Sequence, residues 1–379
     1  MTRRRILYLT GTRADFGKLK PLMLKLENDD AFEVHIFVTG MHMLSKYGYT
    51  VDEVRKCGFR NIYTFINHTG TASMDTILAN TIFGVSNYVK EFDIEMIIVH
   101  GDRVEPLAGA IVGALNNIIV CHIEGGEVSG TIDELIRHSI SKLSHLHFVS
   151  NEKARQRLIQ MGEKPESVFF IGSPDIDIML SDELPSLDYV REHYEIPFSN
   201  YAIFIYHPVT TEIKSLRKHV SEVVGALIQS GRNYVAVFPN NDPGNEIIME
   251  EFEALGKNSH FRIFPSIRFE NFLVLLKHCE FVIGNSSAGV REAEIYHRTA
   301  INIGTRQQNR HMSSNIINVP EHKENILEAI GKVTELLNTN SFAFGDGKSV
   351  ERFYKIITDN GIWDIPRQKQ FIDIDFGDQ

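Results

Sequence analysis

The sequence predicts an α/β protein of two doubly wound, Rossmann-like domains. Three observations carry that expectation. Short aliphatic runs alternate with longer amphipathic stretches along the chain. The runs are nearly continuous in apolar residues, as expected of parallel strands covered by helices on both faces. The rhythm breaks once, at "IGSPDIDIMLSDELPSLDYV", where two prolines and clustered acids fall together, and then resumes.

The strand candidates of the first series are "ILYL" (6–9), "EVHIFV" (33–38), "MIIV" (96–99), "IIVCHI" (118–123), "LHFVS" (146–150) and "VFFI" (168–171). Those of the second are "YAIFIY" (201–206), "YVAVF" (234–238), "FRIF" (261–264), "EFVI" (280–283), "AINI" (300–303) and "IINV" (316–319). The junction is expected between residues 173 and 198, giving a first domain over 1–178 and a second over 179–349. Past about residue 366 the chain is polar and weakly patterned.

A length of 379 residues suits two domains. The net charge of −10 is spread along the chain. That argues against a nucleic-acid binder, which usually carries a basic face, but leaves room for an anion held by local Arg and Lys. Cys57, Cys121 and Cys279 are far apart and show no metal-ligand spacing. Cys121 and Cys279 read as buried thiols, and the chain as a protein of the reducing cytoplasm. The opening "MTRRRILYLTG" is too short in apolar residues for a signal peptide and reads as the first strand. No segment has the length and apolarity of a membrane span.

Ligands of open parallel sheets bind beyond the carboxyl ends of the strands, and two such domains facing each other would share a cleft. Arg13, Asp102, Glu124 and His207 each sit just past a strand candidate. In "TGTRADFGKLKPL" (10–22) a glycine loop leads to a helix from about Phe16. Its free N–H groups suit an anion, with Arg13 and Lys18 adding charge. An ordinary turn capped by Asp15 accounts for the same residues. In "IGNSSAGVREAE" (283–294) a strand runs into Gly284-Asn285-Ser286-Ser287 and a helix opens, an arrangement suited to a diphosphate. Glu292 follows about one turn on, on an exposed helix, where it could accept both hydroxyls of a ribose. A serine cap with helix electrostatics is the plainer alternative. "GTRQQNR" (304–310) adds Arg306 and Arg310, or is a solvated basic loop.

The stretch "VHGDRVEPLAGAIVGALNNIIVCHIEGGEVSGTIDE" (99–134) sets acids at the ends of its most hydrophobic strands. Asp102 and Glu124 follow buried strands and adjoin glycines. Burying an unpaired carboxylate is costly, so both are candidates for general acid and base. Thr131-x-x-Glu134 fits a capping box. Asp133 suits the first helical turn and lies four residues from Arg137, at ion-pair spacing, so a structural role explains it equally well. Glu105 and Glu127 read equally as loop surface. In "YHPVTTE" (206–212) Pro208 stiffens the backbone at His207, which is placed to face Asp102 and Glu124.

"HGDR", "HIEGGEVSGTID", "RHSISKLSH", "HPVTTE", "GNSSAGVRE" and "GTRQ" fall in one order and spacing. On these motifs nearly the whole chain resembles the hydrolysing UDP-N-acetylglucosamine 2-epimerases of sialic-acid-type biosynthesis. Non-hydrolysing relatives carry a Glu-Ala-Gly-Leu-Arg type run in place of "EGGEVSG", and basic and acidic residues after the His in place of "HPVTT". The resemblance implies a glycosyltransferase-B architecture with an interdomain cleft. It also implies a C-terminal helix ("VERFYKIITDN", 350–360) crossing back, so that about 350–379 joins the first domain. UDP is expected mainly on the second domain, with the sugar facing the first. Carried over, the acid/base residues fall on Asp102, Glu124 and Asp133, with His207 near the diphosphate and sugar. Nucleotide contacts fall on Ser286, Ser287 and Glu292, with Arg13 and Arg306 near the phosphates. Lys18, Arg103, Arg137, Asn241 and Gly289 complete the expected substrate set. The loop "TGMHMLSKYGYT" (39–50) is expected to line part of the pocket for C4 and C6 of the sugar. The implied ligand is a UDP-sugar, with no metal or cofactor, no nucleic acid and no membrane, and the assembly a homodimer or dimer of dimers. The same reaction on UDP-N,N'-diacetylbacillosamine, a UDP-sugar-dependent glycosyltransferase of the same fold, a non-hydrolysing epimerase and a non-catalytic nucleotide-sugar sensor are the rival readings.

Overall fold

The computed structural model describes residues 3–68, 72–129, 131–307, 314–333, 345–370 and 372–373. The chain divides into two compact units. The first comprises Met1–Glu127, Asp133–Leu180 and Ala343–Gln379; the second comprises Val128–Ile132 and Ser181–Phe342.

The first unit holds a seven-stranded parallel sheet. Its strands are β1 (Arg4–Thr10), β2 (Phe32–Val38), β3 (Asn61–Thr64), β4 (Met96–His100), β5 (Ile119–Ile123), β6 (Leu146–Val149) and β7 (Val168–Phe170), in the order β3-β2-β1-β4-β5-β6-β7. Every residue of β4 and β5 is buried, which is why both read as nearly continuous apolar runs. β3 is absent from the expected set. Its sequence "NIYT" is half polar, it lies at the sheet edge paired only with β2, and none of its residues is buried. Hydrophobic periodicity does not register such a strand.

One face of the sheet packs against the helix Arg13–Glu27 through Phe16, Leu19, Leu22, Met23 and Leu26. The helix Ser349–Ile357 joins the same core with Phe353 and Ile357. Phe353 meets Phe148 edge-on at 5.2 Å, and its truncation to Ala would cost about 3–5 kcal/mol. The helix is anchored at its start by Asp177, whose carboxylate accepts from the amides of Ser349 (2.9 Å) and Val350 (2.8 Å). Two of the orphan donors of a helix start are thereby satisfied by an anion.

The second unit holds a six-stranded parallel sheet. Its strands are β8 (Ala202–Ile205), β9 (Tyr234–Val237), β10 (Phe261–Phe264), β11 (Phe281–Gly284), β12 (Thr299–Ile303) and β13 (Ile316–Val319), in the order β10-β9-β8-β11-β12-β13. The helix Ile213–Ser230 buries Leu216, Val220, Val223, Val224 and Leu227, one stripe at helical spacing, against Phe204, Ile283 and Ile301. It ends at Gly231, whose φ of 63° closes the last turn.

Each unit is thus a doubly wound α/β sheet. Chain order reverses between β1 and β4 in the first and between β8 and β11 in the second. Cys121 and Cys279 are buried thiols, and burial pushes Cys279 up to about 12. Among the described residues no helix is long and apolar enough to cross a membrane.

Candidate active site

Reversal of strand order splays the loops that follow the two central strands and opens a crevice at their carboxyl ends. In the first unit those loops follow β1 and β4. The helix after β1 starts at Arg13, three residues before the expected Phe16, because Thr12 and not Asp15 is its cap. The Thr12 hydroxyl accepts from the Asp15 amide (3.1 Å), and the Asp15 carboxylate accepts from the amides of Gly11 (3.0 Å) and Thr12 (3.2 Å), a capping box. Those two amides are therefore held by the chain's own carboxylate. Burial raises the Asp15 pKa, opposed by its bonds from Thr10 and Gly11. Arg13 makes an ion pair with Glu53 at 2.7 Å.

Lys18, one turn further along this helix, is buried. Its ammonium lies 3.2 Å from Asp175 and 3.7 Å from Glu124. Asp175 is 1% exposed and Glu124 is 5% exposed. Glu124 directly follows β5 with φ at 62°, in the left-handed region. For a residue with a Cβ that costs on the order of 1–3 kcal/mol, so the surroundings must hold it there. They do so from several elements. Ser173 donates its hydroxyl, His100 Nε2 approaches to 3.3 Å, and the Glu124 amide donates to Phe148 O at 2.9 Å. Gly126 follows with φ at 76°. A Cβ there would lie 2.3 Å from the Ala154 carbonyl oxygen, so the second glycine of "EGG" is sterically required.

Asp102 follows Gly101, beyond β4, and pairs with Arg137. That guanidinium is buried and also donates to Glu127 O at 3.1 Å. Arg137 and Asp133 both belong to the helix Ile132–Leu143, and Asp133 is buried in its first turn. His122 ties the floor together. Its Nε2 donates to Gly101 O at 2.8 Å, its Nδ1 lies 3.0 Å from the Ser141 hydroxyl, and burial pushes it down to about 3, so it is neutral.

Two acids that the sequence left open between site and loop surface are held by the fold. Glu105 sits in the first turn of the helix Val104–Leu115, 1% exposed, with Arg103 Nε at 3.7 Å from its carboxylate. It lies against Gly11 and Gly40, whose lack of side chains makes the space. Glu127 accepts from the side chains of Ser150 and Asn151 and so is tied to the end of β6. In the 39–50 loop, His42 is buried between the hydroxyls of Thr10 (3.1 Å) and Thr50 (2.6 Å), and burial pushes it down to about 3. It fastens the loop to the end of β1.

In the second unit the loops after β8 and β11 are joined by Asn285. Its side-chain oxygen accepts from the His207 amide (2.7 Å) and its side-chain nitrogen donates to His207 O (2.8 Å). Its own carbonyl accepts from Gln307 (2.8 Å) and Arg306 (3.4 Å). Gly284 precedes it at φ 133°, where a Cβ would lie 1.9 Å from Ile205 O. His207 Nδ1 accepts from the Asn240 amide at 3.1 Å, so in the neutral ring Nε2 carries the proton. Asn241, next in that loop, is half-buried.

Ser286 caps the helix Ser287–Val290, its hydroxyl accepting from the Ala288 amide at 3.3 Å. Where one helix was expected there are two of four residues each, Ser287–Val290 and Glu292–Ile295, broken at Arg291 (ψ −62°, φ −107°). Glu292 is consequently 4% exposed rather than on an exposed helix. Gly289 is buried, nearest to Ala300 of β12. Arg310 lies outside the described residues.

His100, Ser173, Asp175, His122 and Asn285 were not among the expected site residues. "GSPD" signalled only a domain junction, and Asn285 stood inside "GNSS" without a distinct role. The partners that give these residues meaning are distant in sequence.

The UDP-N-acetylglucosamine 2-epimerase family model matches residues 24–358. The chain is 49% identical over 375 residues to a UDP-N-acetylglucosamine 2-epimerase of Neisseria meningitidis serogroup B, spanning 98% of this chain and 99% of that one. It is 34% identical over 364 residues to the UDP-N,N'-diacetylbacillosamine 2-epimerase (hydrolyzing) of Legionella pneumophila, spanning 93% and 95%. Its fold is similar to that of the Methanocaldococcus jannaschii UDP-GlcNAc 2-epimerase solved in complex with UDP-GlcNAc and UDP, with a TM-score of 0.80 at 20% identity over 93% and 99% of the two chains. On the span of the family match and on near full-length identity to the Neisseria protein, the chain belongs to the UDP-N-acetylglucosamine 2-epimerase family.

Proposed function

We propose that this protein is a hydrolysing 2-epimerase that converts UDP-N-acetylglucosamine and water to N-acetylmannosamine and UDP. The observation that carries the reading is Glu124, a buried carboxylate held in a left-handed conformation against Lys18, His100 and Ser173. Asp102 and Asp133 stand on the neighbouring loop and helix of the same unit. The Neisseria relative supports the sugar. The Legionella relative's hydrolysing reaction supports the reaction type, as do "HIEGGEVSGTID" and "HPVTTE".

A base removes the proton at C2 and the C1–O bond to the diphosphate breaks, giving a 2-acetamidoglucal and UDP. Water then adds its oxygen at C1, and a proton returns to C2 on the opposite face. No step changes the overall oxidation state, so the reaction calls for no redox cofactor. Two proton transfers on different faces and one activated water require several positioned acids and bases. Asp102, Glu124 and Asp133 fill those roles. Arg137 orients Asp102, and Lys18 and His100 flank Glu124. His207 presents an Nε2 proton to the departing diphosphate, with Ser286, Ser287, Arg306 and Arg13 as further donors. Glu292 holds the ribose, and Arg103, Asn241 and Gly289 complete the substrate contacts. The product is the starting sugar of sialic-acid-type nonulosonates, and the enzyme works as a cytoplasmic homodimer or dimer of dimers.

A second reading, the same chemistry on UDP-N,N'-diacetylbacillosamine, is favoured by the Legionella relative. One experiment separates the readings. The protein is mixed with each UDP-sugar alone in D₂O and the products are followed by NMR. The expected result is free UDP and free N-acetylmannosamine carrying deuterium at C2, faster from UDP-N-acetylglucosamine. A UDP-linked epimer without UDP release would make it a non-hydrolysing enzyme. No turnover without an acceptor sugar would make it a glycosyltransferase.

A further inference from the structure

In the second unit a separate group of side chains gathers beyond β8, β12 and β13. Glu212 closes the "HPVTTE" motif at the start of the helix Ile213–Ser230, His219 lies two turns along the same helix, and Glu321 follows β13. One ligand atom from each lies within 4.8 Å of the other two. His219 Nδ1 is 3.8 Å from Glu321 Oε1. That oxygen is buried with no hydrogen-bond partner, on a residue 8% exposed. Gly304, at φ 76°, leaves the space it occupies; a Cβ there would stand 1.9 Å from it. Glu212 is held from its other side by the Thr305 hydroxyl at 2.6 Å. Two carboxylates and an imidazole therefore converge where a buried oxygen lacks a donor, and charge so placed is costly unless a cation offsets it.

We propose that Glu212, His219 and Glu321 form a binding site for one divalent first-row transition-metal ion of the Zn²⁺ or Mn²⁺ class. An imidazole nitrogen beside two carboxylate oxygens suits these ions, whereas Mg²⁺ and Ca²⁺ favour oxygen alone. Ligands on one such ion, each about 2.0–2.2 Å from it, stand no more than roughly 4.4 Å apart. The three side chains need close by only a few tenths of an ångström, with water completing the shell. The ion would brace the "HPVTTE" loop, which carries His207, against the Gly304–Arg306 turn. It takes no part in the chemistry of the sugar.

The test uses the full chain, stripped with a chelator and titrated with Zn²⁺, Mn²⁺ and Mg²⁺ in turn, read by calorimetry and by thermal unfolding. One Zn²⁺ or Mn²⁺ ion per chain and a Tm raised by several degrees are expected, with Mg²⁺ leaving Tm unchanged. Glu321→Gln should weaken binding more than about tenfold, since even an outer-sphere partner is worth that much. His219→Ala, at a partly exposed position that threatens the fold less, should do the same with an unchanged circular dichroism spectrum. Absence of binding by the wild-type chain overturns the proposal. So does affinity that survives in Glu212→Gln/His219→Ala, which would assign the ion to other histidines and leave the three residues an ion-pair cluster.

Discussion

In the first unit the loops after β1, β4 and β5 gather ionised groups: Lys18 between Glu124 and Asp175, Arg137 on Asp102, and Arg103 near Glu105. In the second, the loops after β8 and β11 gather amides, hydroxyls and backbone, organised by the single side chain of Asn285. Both regions occupy the same place in the same kind of sheet. On the function proposed above, the contrast would put one doubly wound scaffold to two uses. Moving a proton demands carboxylates whose proton affinity is fixed by buried neighbours. Holding a diphosphate and ribose demands donors and acceptors at set positions, which a hydrogen-bonded loop with the buried Glu292 beside it can supply.

The contrast breaks most sharply if the first region proves unnecessary for turnover. Asp102→Asn, Glu124→Gln and Asp133→Asn keep shape but cannot exchange a proton as the parent does. Each should lower kcat by roughly 10²–10⁴-fold with little change in UDP affinity, measured by steady-state kinetics beside calorimetry. Near-normal turnover in Asp133→Asn would return that residue to a helix-start role.

Glu292→Ala is the converse experiment in the second region. Loss of a charge-assisted hydrogen bond should weaken UDP binding by roughly 1.5–3 kcal/mol. Calorimetry showing unchanged affinity would remove Glu292 from the site. Asn285→Ala should act on both levels. It strands the His207 amide and carbonyl, costing about 1–3 kcal/mol in denaturant unfolding, and it loosens the loop, so UDP affinity should fall alongside stability. Stability lost with UDP affinity intact would make Asn285 a packing residue only.

The smallest effect concerns pH, and it belongs to the ion-rich unit. Burial would raise Glu163, but His147, then Lys369 and Lys142, bring it down to about 2. A depressed folded-state pKa gives stability that is present above the unfolded value, 4.5, and is lost as pH falls toward 2. That contribution is on the order of 1–3 kcal/mol. Urea unfolding at about pH 6 and about pH 3 should therefore differ less in Glu163→Gln than in the parent.

The strands were legible because their residues are apolar on both faces, and β3 was not because an edge strand needs no such run. Asp102 and Glu124 were legible as acids beside buried strands. Their partners were not: Arg137 stands 35 residues from Asp102 and Ser173 stands 49 from Glu124. Spacing along a helix points Arg137 at Asp133, but only the folded sheet shows that it reaches Asp102. The helix break at Arg291 is equally invisible, since "SAGVREAEI" has nothing in it that forbids one continuous helix. The Glu212, His219 and Glu321 group is invisible as a unit because Glu321 comes from the loop after β13, about a hundred residues beyond the helix that carries the other two.

The order of the two units along the chain has a consequence for biosynthesis. Residues Ser181–Phe342 of the second unit are inserted into the first, whose last helix begins only at Ser349. A ribosome therefore delivers the whole second unit before it delivers Phe353, Tyr354 and Trp363. Until then Phe148 lacks the edge-on ring of Phe353, Asp29 lacks the Tyr354 hydroxyl, and Asp177 has no helix start to cap. The nascent first unit thus waits, with part of its core uncovered, for roughly the length of a second domain. Through that interval it is a natural client for a chaperone, while the inserted unit can already have folded beside it.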